Sequence, residues 1–224
     1  MGISGLIQGL MSDPLSTLLY LLISFLAMCI SISFHEWAHA FTAYKLGDPT
    51  AKNLGRMTLD PFAHLDLMGA IMFVLFGFGW ARPVVVNSRN LKHFRRDDVL
   101  ISLAGPFMNL LLAFVFTGIY YFVQIDGGWL RLILIYLISM NLHFAVFNLI
   151  PIYPLDGYHV LTSIFIKNNY KVIQFMQRYG SIILIALIVT GATDAIIGWA
   201  SDRILSLFLA FFGLFGRYGK QRQI

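Results

Sequence analysis

The sequence predicts an all-α, polytopic membrane protein with about five transmembrane helices. Of its 224 residues, 58% are hydrophobic and 12% are charged, whereas soluble domains average roughly 45–50% apolar and about 25% charged residues. A chain of this length favours a single membrane-embedded domain over residues 1–224. Five apolar runs are long enough, or nearly long enough, to cross a bilayer as helices: residues 15–44, 99–123, 129–150, 176–198 and 202–216.

The limits of these runs carry helix start and stop signals. Asp13 and Pro14 introduce the first run, 15–44, and Gly47 with a second Asp-Pro pair follows it, as is typical of helix ends. The second and third runs are joined by "QIDGG", which predicts a tight turn. The last run, 202–216, is marginal in length and either spans the membrane or lies at its interface.

Two segments between the first and second runs depart from the spanning-helix pattern. Residues 67–81 are apolar and contain several glycines, but they are shorter than the roughly 20 residues that a spanning helix needs. They are predicted to form a short re-entrant or partly inserted segment. Partial alternation in residues 45–66 and the strand-like "PVVV" at 83–86 predict a small β-hairpin or strand region.

The distribution of positive charge indicates an orientation. The chain carries a net charge of +5, without a dense basic patch that would favour nucleic-acid binding. If the N-terminus is outside and residues 67–81 do not cross, all 16 Lys and Arg residues except Arg131 and Arg203 lie on the inner side, as the positive-inside rule requires. This predicts a multi-pass protein of the cell membrane, surrounded by lipid, whose functional site faces the cytoplasm.

The segment "SFHEWAHA", residues 33–40, places three ionisable side chains inside the first apolar run. On a helix, His35 and His39 share one face and could bind one metal ion, while Glu36 could act as general base toward a water. Zinc is the usual ion of such a site. The alternative is a chance pair of hydrogen-bonded histidines, but buried ionisable groups are costly in a membrane helix and indicate function by default.

A catalytic zinc usually has three protein ligands, and Asp156 is the candidate for the third. It follows Pro151 and Pro154 in "NLIPIYPLDG", residues 148–157. Prolines break the helix here and could direct a carboxylate into a cavity at membrane depth. Considered alone, Asp156 would be a turn residue before Gly157; together with the H-E-x-x-H motif, the ligand interpretation is favoured.

These motifs resemble those of a known family. H-E-x-x-H in a membrane helix, "SLAGPFMN" at 102–109 and N-x-x-P-x-x-P-L-D-G at 148–157 resemble the site-2 protease family of intramembrane zinc metalloproteases (peptidase M50-like), especially small bacterial and archaeal members without PDZ or CBS domains. The resemblance covers roughly residues 33–165. It implies a catalytic core at about 15–165, followed by C-terminal helices at about 176–216.

The resemblance also implies the reaction. The expected activity is hydrolysis of peptide bonds in or next to the transmembrane segments of membrane protein substrates, as in regulated intramembrane proteolysis. The implied cofactor is one Zn²⁺ per chain, held by His35, His39 and Asp156, with Glu36 as the general base.

Four further residues are candidates for substrate contact. Asn148 could donate a hydrogen bond to the oxyanion of the tetrahedral intermediate; Asn109 is a second candidate for this role, or a packing residue. Val84 and Val85 could hold an unwound substrate by strand addition. The alternative for these valines is an ordinary surface hairpin.

Two other functions compete with proteolysis. A di-iron hydroxylase or desaturase would need several histidine clusters, but among six histidines only His35 and His39 are clustered. A non-catalytic or transporter-like scaffold that retains a metal site is the second alternative. The sequence shows no pair of matching broken helices, which would be typical of a transporter repeat.

Overall fold

The computed structural model describes residues 3–123, 127–166 and 169–215. This part of the chain is mostly helical, and its long helices are connected by short helices and irregular segments. The α-helices are α1 (Ile3–Ser12), α2 (Pro14–Lys45), α3 (Thr50–Asn53), α4 (Pro61–His64), α5 (Leu67–Phe76), α6 (Phe94–Val123), α7 (Gly128–Asn148), α8 (Asp156–Leu161), α9 (Tyr170–Val189) and α10 (Ala192–Phe215).

Five of these helices, α2, α6, α7, α9 and α10, are long and apolar enough to cross a membrane. The prediction of about five transmembrane helices is thereby confirmed, but the boundary between the last two was wrong. The break lies at Thr190 and Gly191 instead of residues 199–201. Gly191 has a φ of 74°, a left-handed conformation that glycine adopts without steric cost and that commonly ends helices.

Helices α2, α6 and α7 pack against one another and form the core. The Asp13 side chain caps α2 by accepting a hydrogen bond from the Ser16 N–H at 3.2 Å, and Pro14 occupies the first turn. Small residues allow close helix packing in membranes, and Ala113 of α6 is fully buried against Ile138 and Leu142 of α7. This three-helix core fixes the positions of the residues that form the site.

The predicted β-hairpin is wrong. Among the described residues there is no sheet, and the β-pairing is one isolated bridge between Leu65 and Ala81. The "PVVV" segment has strand-forming side chains but no partner strand, because its neighbouring main-chain donors bond elsewhere. Those N–H groups are Arg82 to the His64 carbonyl (2.8 Å), Val84 to Glu36 Oε2 (2.9 Å) and Asn87 to Asp48 Oδ2 (2.7 Å).

A re-entrant segment at 67–81 is also not supported. The chain forms the ten-residue helix α5, which contacts α1 and α2, and then returns through irregular residues. Glycines suggested an interrupted insertion, but Gly69 has a packing role instead. A Cβ at Gly69 would lie 2.9 Å from the Trp80 backbone nitrogen, so glycine allows the returning chain to approach the first turn of α5.

Candidate metal centre

Three side chains that are distant in sequence converge at the end of the three-helix core. His35 and His39 lie one turn apart on α2, and Asp156 is the first residue of α8. The two Nε2 atoms are 2.9 Å apart, and Asp156 Oδ2 lies 3.2 Å from Nε2 of His35 and 3.3 Å from Nε2 of His39. The structure therefore brings together the three predicted ligands.

The triangle formed by these atoms fits a zinc ion. Zinc binds imidazole nitrogen and carboxylate oxygen at about 2.0–2.1 Å in a tetrahedron, which places ligand atoms about 3.3 Å apart. The three observed edges, 2.9, 3.2 and 3.3 Å, are close to that value. Two imidazoles and one carboxylate would give a zinc ion three protein ligands, the usual number at a catalytic zinc.

The hydrogen bonds of the two imidazoles also favour a metal. Nδ1 of His39 lies 2.7 Å from the Ile101 carbonyl oxygen, and Nδ1 of His35 lies 2.6 Å from Asn109 Oδ1. Both contacts require a proton on Nδ1, so the neutral form of each ring presents an Nε2 lone pair to the same point. Asp156 Oδ2 is buried there without a hydrogen-bond partner. A cation at this point would satisfy all three groups.

Glycine in α6 leaves the room that this centre needs. A Cβ at Gly105 would lie 2.6 Å from His35 Nε2 and closer still to His39 Nε2. Any larger residue would therefore place a carbon atom on the ligand atoms. The sequence shows this glycine within "SLAGPFMN", but its role depends on the contact between α2 and α6 and was not predicted.

The site opens into a cavity of about 500 Å³. Glu36 and the three candidate ligands line this cavity, together with Asn148 at the end of α7. The Glu36 carboxylate is buried and accepts a hydrogen bond from the Val84 N–H at 2.9 Å. One contact thus orients the candidate base beside the candidate ligands, and Pro83, Val84 and Val86 form part of the cavity wall.

The remaining predicted residues occupy different positions. Val84 lines the cavity, whereas the Val85 side chain is 53% exposed and lies outside the lining. Asn109 is fully buried behind His35 and does not line the cavity. Its contact with the His35 ring favours a role in holding that ring over direct contact with substrate.

Sequence reasoning did not identify Asp98 as a cavity residue. His159 and Asp98 both line the cavity, and His159 Nδ1 lies 3.5 Å from Asp98 Oδ1. The Ser163 hydroxyl donates to the other Asp98 oxygen at 2.7 Å. The hydrogen bond that His159 donates to the Asp98 carboxylate raises the pKa of His159 above its ordinary value. In the sequence, the one indication of this pair was that His159 follows Asp156 by three residues and so could lie near the site.

A second buried carboxylate, that of Asp48, holds the segment that continues from the cavity wall. Asp48 is fully buried and accepts hydrogen bonds from the Asn87 N–H and the Asn90 side chain, both at 2.7 Å, and from the N–H and hydroxyl of Thr50. Burial raises the pKa of Asp48, but these hydrogen bonds outweigh burial and lower the pKa below its ordinary value. Asp48 therefore ties residues 87–90 to the end of α2.

We expect Asp48→Ala to destabilise the protein by about 1.5–3 kcal/mol, because it leaves buried donors without a charged acceptor. It should also release the segment that positions Val84 against Glu36. Thermal unfolding in detergent measures the loss of stability. Asp60→Ala is the matched control, since Asp60 is an exposed cap of α4. Equal unfolding temperatures for the two variants would contradict the role of Asp48.

The amino-acid sequence of this chain is similar to sequences of known proteins. Residues 124–190 match the model of peptidase family M50. The chain is 38% identical over 214 residues to the protein named "Putative zinc metalloprotease YwhC" of Bacillus subtilis (strain 168), and the match covers 89% of this chain and 95% of that relative.

More distant relatives carry similar names. The chain is 26% identical over 189 residues to "Putative zinc metalloprotease Rip2" of Mycolicibacterium smegmatis, covering 81% of this chain and 72% of the relative. It is 33% identical over 150 residues to "Putative zinc metalloprotease MJ0611" of Methanocaldococcus jannaschii, covering 67% and 74%. No solved structure matches the chain.

Proposed function

The chain belongs to peptidase family M50 and is a site-2-protease-like intramembrane zinc metalloprotease; from this premise we propose which residues perform the reaction. His35, His39 and Asp156 hold one zinc ion per chain, and Glu36 is the general base. The observation that carries this assignment is the convergence of three candidate ligand atoms beside a buried glutamate on one cavity wall.

The reaction is peptide hydrolysis by general base catalysis. A zinc ion held by these residues would supply Lewis-acid chemistry, lowering the pKa of a water and polarising a carbonyl. Glu36 takes the proton from the attacking water and later gives it to the leaving amine. The Val84 N–H holds one Glu36 oxygen, so the carboxylate is oriented before substrate arrives.

Asn148 is the proposed hydrogen-bond donor to the oxyanion. It is the last residue of α7 and lines the cavity. One N–H of its amide donates to the Phe144 carbonyl at 3.0 Å. An amide nitrogen carries two hydrogens, so the second N–H is available to a substrate oxygen in the cavity.

The substrates of this membrane-embedded protease are membrane proteins, and the scissile bonds lie in or next to their transmembrane segments, as regulated intramembrane proteolysis requires. Apolar side chains of the cavity wall, including Val84, Phe144 and Phe147, suit an unwound apolar peptide.

The whole chain acts as one domain, with a core at about 15–165 completed by α9 and α10. The charge distribution favours the cell membrane with the site toward the cytoplasm.

The test is zinc-dependent cleavage of single-span membrane peptides by the purified protein in detergent. We expect cleavage by the wild type, loss of cleavage after zinc removal with a chelator, and recovery when zinc is added back. Asp156→Asn should bind little zinc and cleave nothing. Zinc binding without cleavage of any membrane peptide would contradict the proposal and favour the non-catalytic scaffold.

Two proline substitutions separate the roles of Val84 and Val85. Val84→Pro removes the N–H that orients Glu36, so we expect kcat to fall about 10-fold or more. Val85→Pro keeps that contact. If the segment also binds extended substrate by strand addition, Val85→Pro raises KM while kcat stays near the wild-type value. Unchanged KM in Val85→Pro would contradict strand addition.

A further inference from the structure

Two asparagines of the membrane helices are fully buried next to the metal centre. Asn109 lies on α6 and Asn141 on α7, and neither side chain is exposed to solvent or lines the cavity. Buried polar groups in membrane helices are costly unless every donor and acceptor is paired. The partners of these two amides therefore indicate why they are present.

The amides form a continuous chain of hydrogen bonds that ends at a candidate zinc ligand. The Asn141 amide nitrogen donates to the Leu137 carbonyl at 2.8 Å, and its oxygen accepts from the Asn109 amide at 2.9 Å. The Asn109 amide also donates to the Ser31 carbonyl at 3.0 Å, and its oxygen lies 2.6 Å from Nδ1 of His35.

The direction of every hydrogen bond in this chain is fixed by two carbonyl oxygens, because a carbonyl only accepts. The Leu137 carbonyl requires the nitrogen of the Asn141 amide, so the Asn141 oxygen faces Asn109. The Ser31 carbonyl likewise requires the nitrogen of the Asn109 amide, so the Asn109 oxygen faces His35. The neutral form of His35 must then carry its proton on Nδ1, which leaves its Nε2 unprotonated.

We propose that Asn109 and Asn141 form a buried amide relay that sets the tautomer and ring orientation of His35 for metal binding. This inference rests on the proposed role of His35 as a zinc ligand. The relay makes Asn109 and Asn141 positioning residues, since they act through His35 and touch neither substrate nor metal. The other histidine ligand, His39, receives the same orientation from a main-chain oxygen, that of Ile101.

A purely structural role makes a different prediction. Amides between membrane helices also stabilise helix packing, and α2, α6 and α7 are the helices that this chain of bonds connects. If packing were the only role, substitutions would lower the unfolding temperature and leave zinc affinity unchanged. If the relay acts on His35, they lower zinc affinity directly.

The experiment measures zinc affinity of the purified full-length protein by competition with a chelator. Loss of a group that orients a metal-binding histidine typically weakens metal binding about 10- to 100-fold, and we expect this for Asn109→Leu. Asn141→Leu should weaken zinc binding in the same direction by a smaller factor, because it acts through Asn109. Thr117→Val is the matched control: Thr117 is fully buried on α6 and bonds within its own helix.

Asn109→Asp separates the relay from packing. The aspartate keeps an oxygen acceptor for His35, but its carboxylate cannot donate a hydrogen bond to the Ser31 carbonyl. The relay therefore predicts that Asn109→Asp binds zinc more tightly than Asn109→Leu does. Packing alone predicts equal zinc affinities for these two variants.

The d–d spectrum of the cobalt-substituted protein should shift in Asn141→Leu and not in Thr117→Val. Zinc affinities equal to wild type in both leucine variants would overturn the relay. Absence of zinc from the wild type would overturn the ligand assignment itself.

Discussion

Glu36→Gln lowers kcat by about two to four orders of magnitude, the usual contribution of a general base, while one zinc per chain is retained. Glutamine has nearly the same shape and still offers an oxygen to the Val84 N–H, so the geometry of the wall is preserved. It cannot accept the proton of the attacking water. Glu36 is the only glutamate in the sequence, so no other glutamate can replace it.

Cleavage rates and zinc content measured on the same preparation test this expectation. Asp66→Asn is the control for loss of one carboxylate, because Asp66 caps α5 and does not line the catalytic cavity. It should keep kcat near the wild-type value. A Glu36→Gln variant that cleaves substrate at the wild-type rate with zinc bound would show that another group activates water.

Gly105→Ala should abolish zinc binding and, with it, cleavage. The added methyl group would lie 2.6 Å from His35 Nε2 and closer to His39 Nε2, well inside carbon–nitrogen van der Waals contact. Both imidazoles are held from behind by Asn109 and the Ile101 carbonyl, so neither ring can retreat without breaking a buried hydrogen bond. We expect less than a tenth of the wild-type zinc content, measured by elemental analysis.

The same substitution elsewhere supplies the control. A Cβ at Gly198 of α10 would meet no atom within 4 Å, so Gly198→Ala should bind zinc as the wild type does. Alanine is also the better helix former, by about 1 kcal/mol, so neither variant should lose helicity. Full zinc occupancy in Gly105→Ala would contradict the close approach of α6 to the metal centre.

The chemical groups of the site could be predicted from sequence because each lies in a local motif. The spacing of His35 and His39 places them on one face of any helix, and proline residues before Asp156 predicted a helix end. The apolar runs predicted the five long helices for the same reason. The length of helix that crosses a bilayer is set by the rise per residue, so it can be read from a contiguous stretch of sequence.

Features that depend on contacts between distant segments could not be predicted in this way. Asn141 and Gly105 acquire their roles only when α6 packs against α2 and α7. The Val84 N–H bonds to Glu36, 48 residues earlier in the chain, and this contact replaces the hairpin that side-chain propensity suggested. The break at Gly191 was missed because apolar residues on both sides of it masked a single left-handed glycine.

The most direct test of the central claim is the zinc content per chain of purified His39→Ala, compared with wild type and with His143→Ala. His143 lies on α7, is exposed, and is separate from the three converging ligands, so its removal controls for the loss of a histidine. The account predicts about one zinc in wild type and in His143→Ala, and almost none in His39→Ala. Equal zinc content in all three proteins would contradict the assignment of the metal centre.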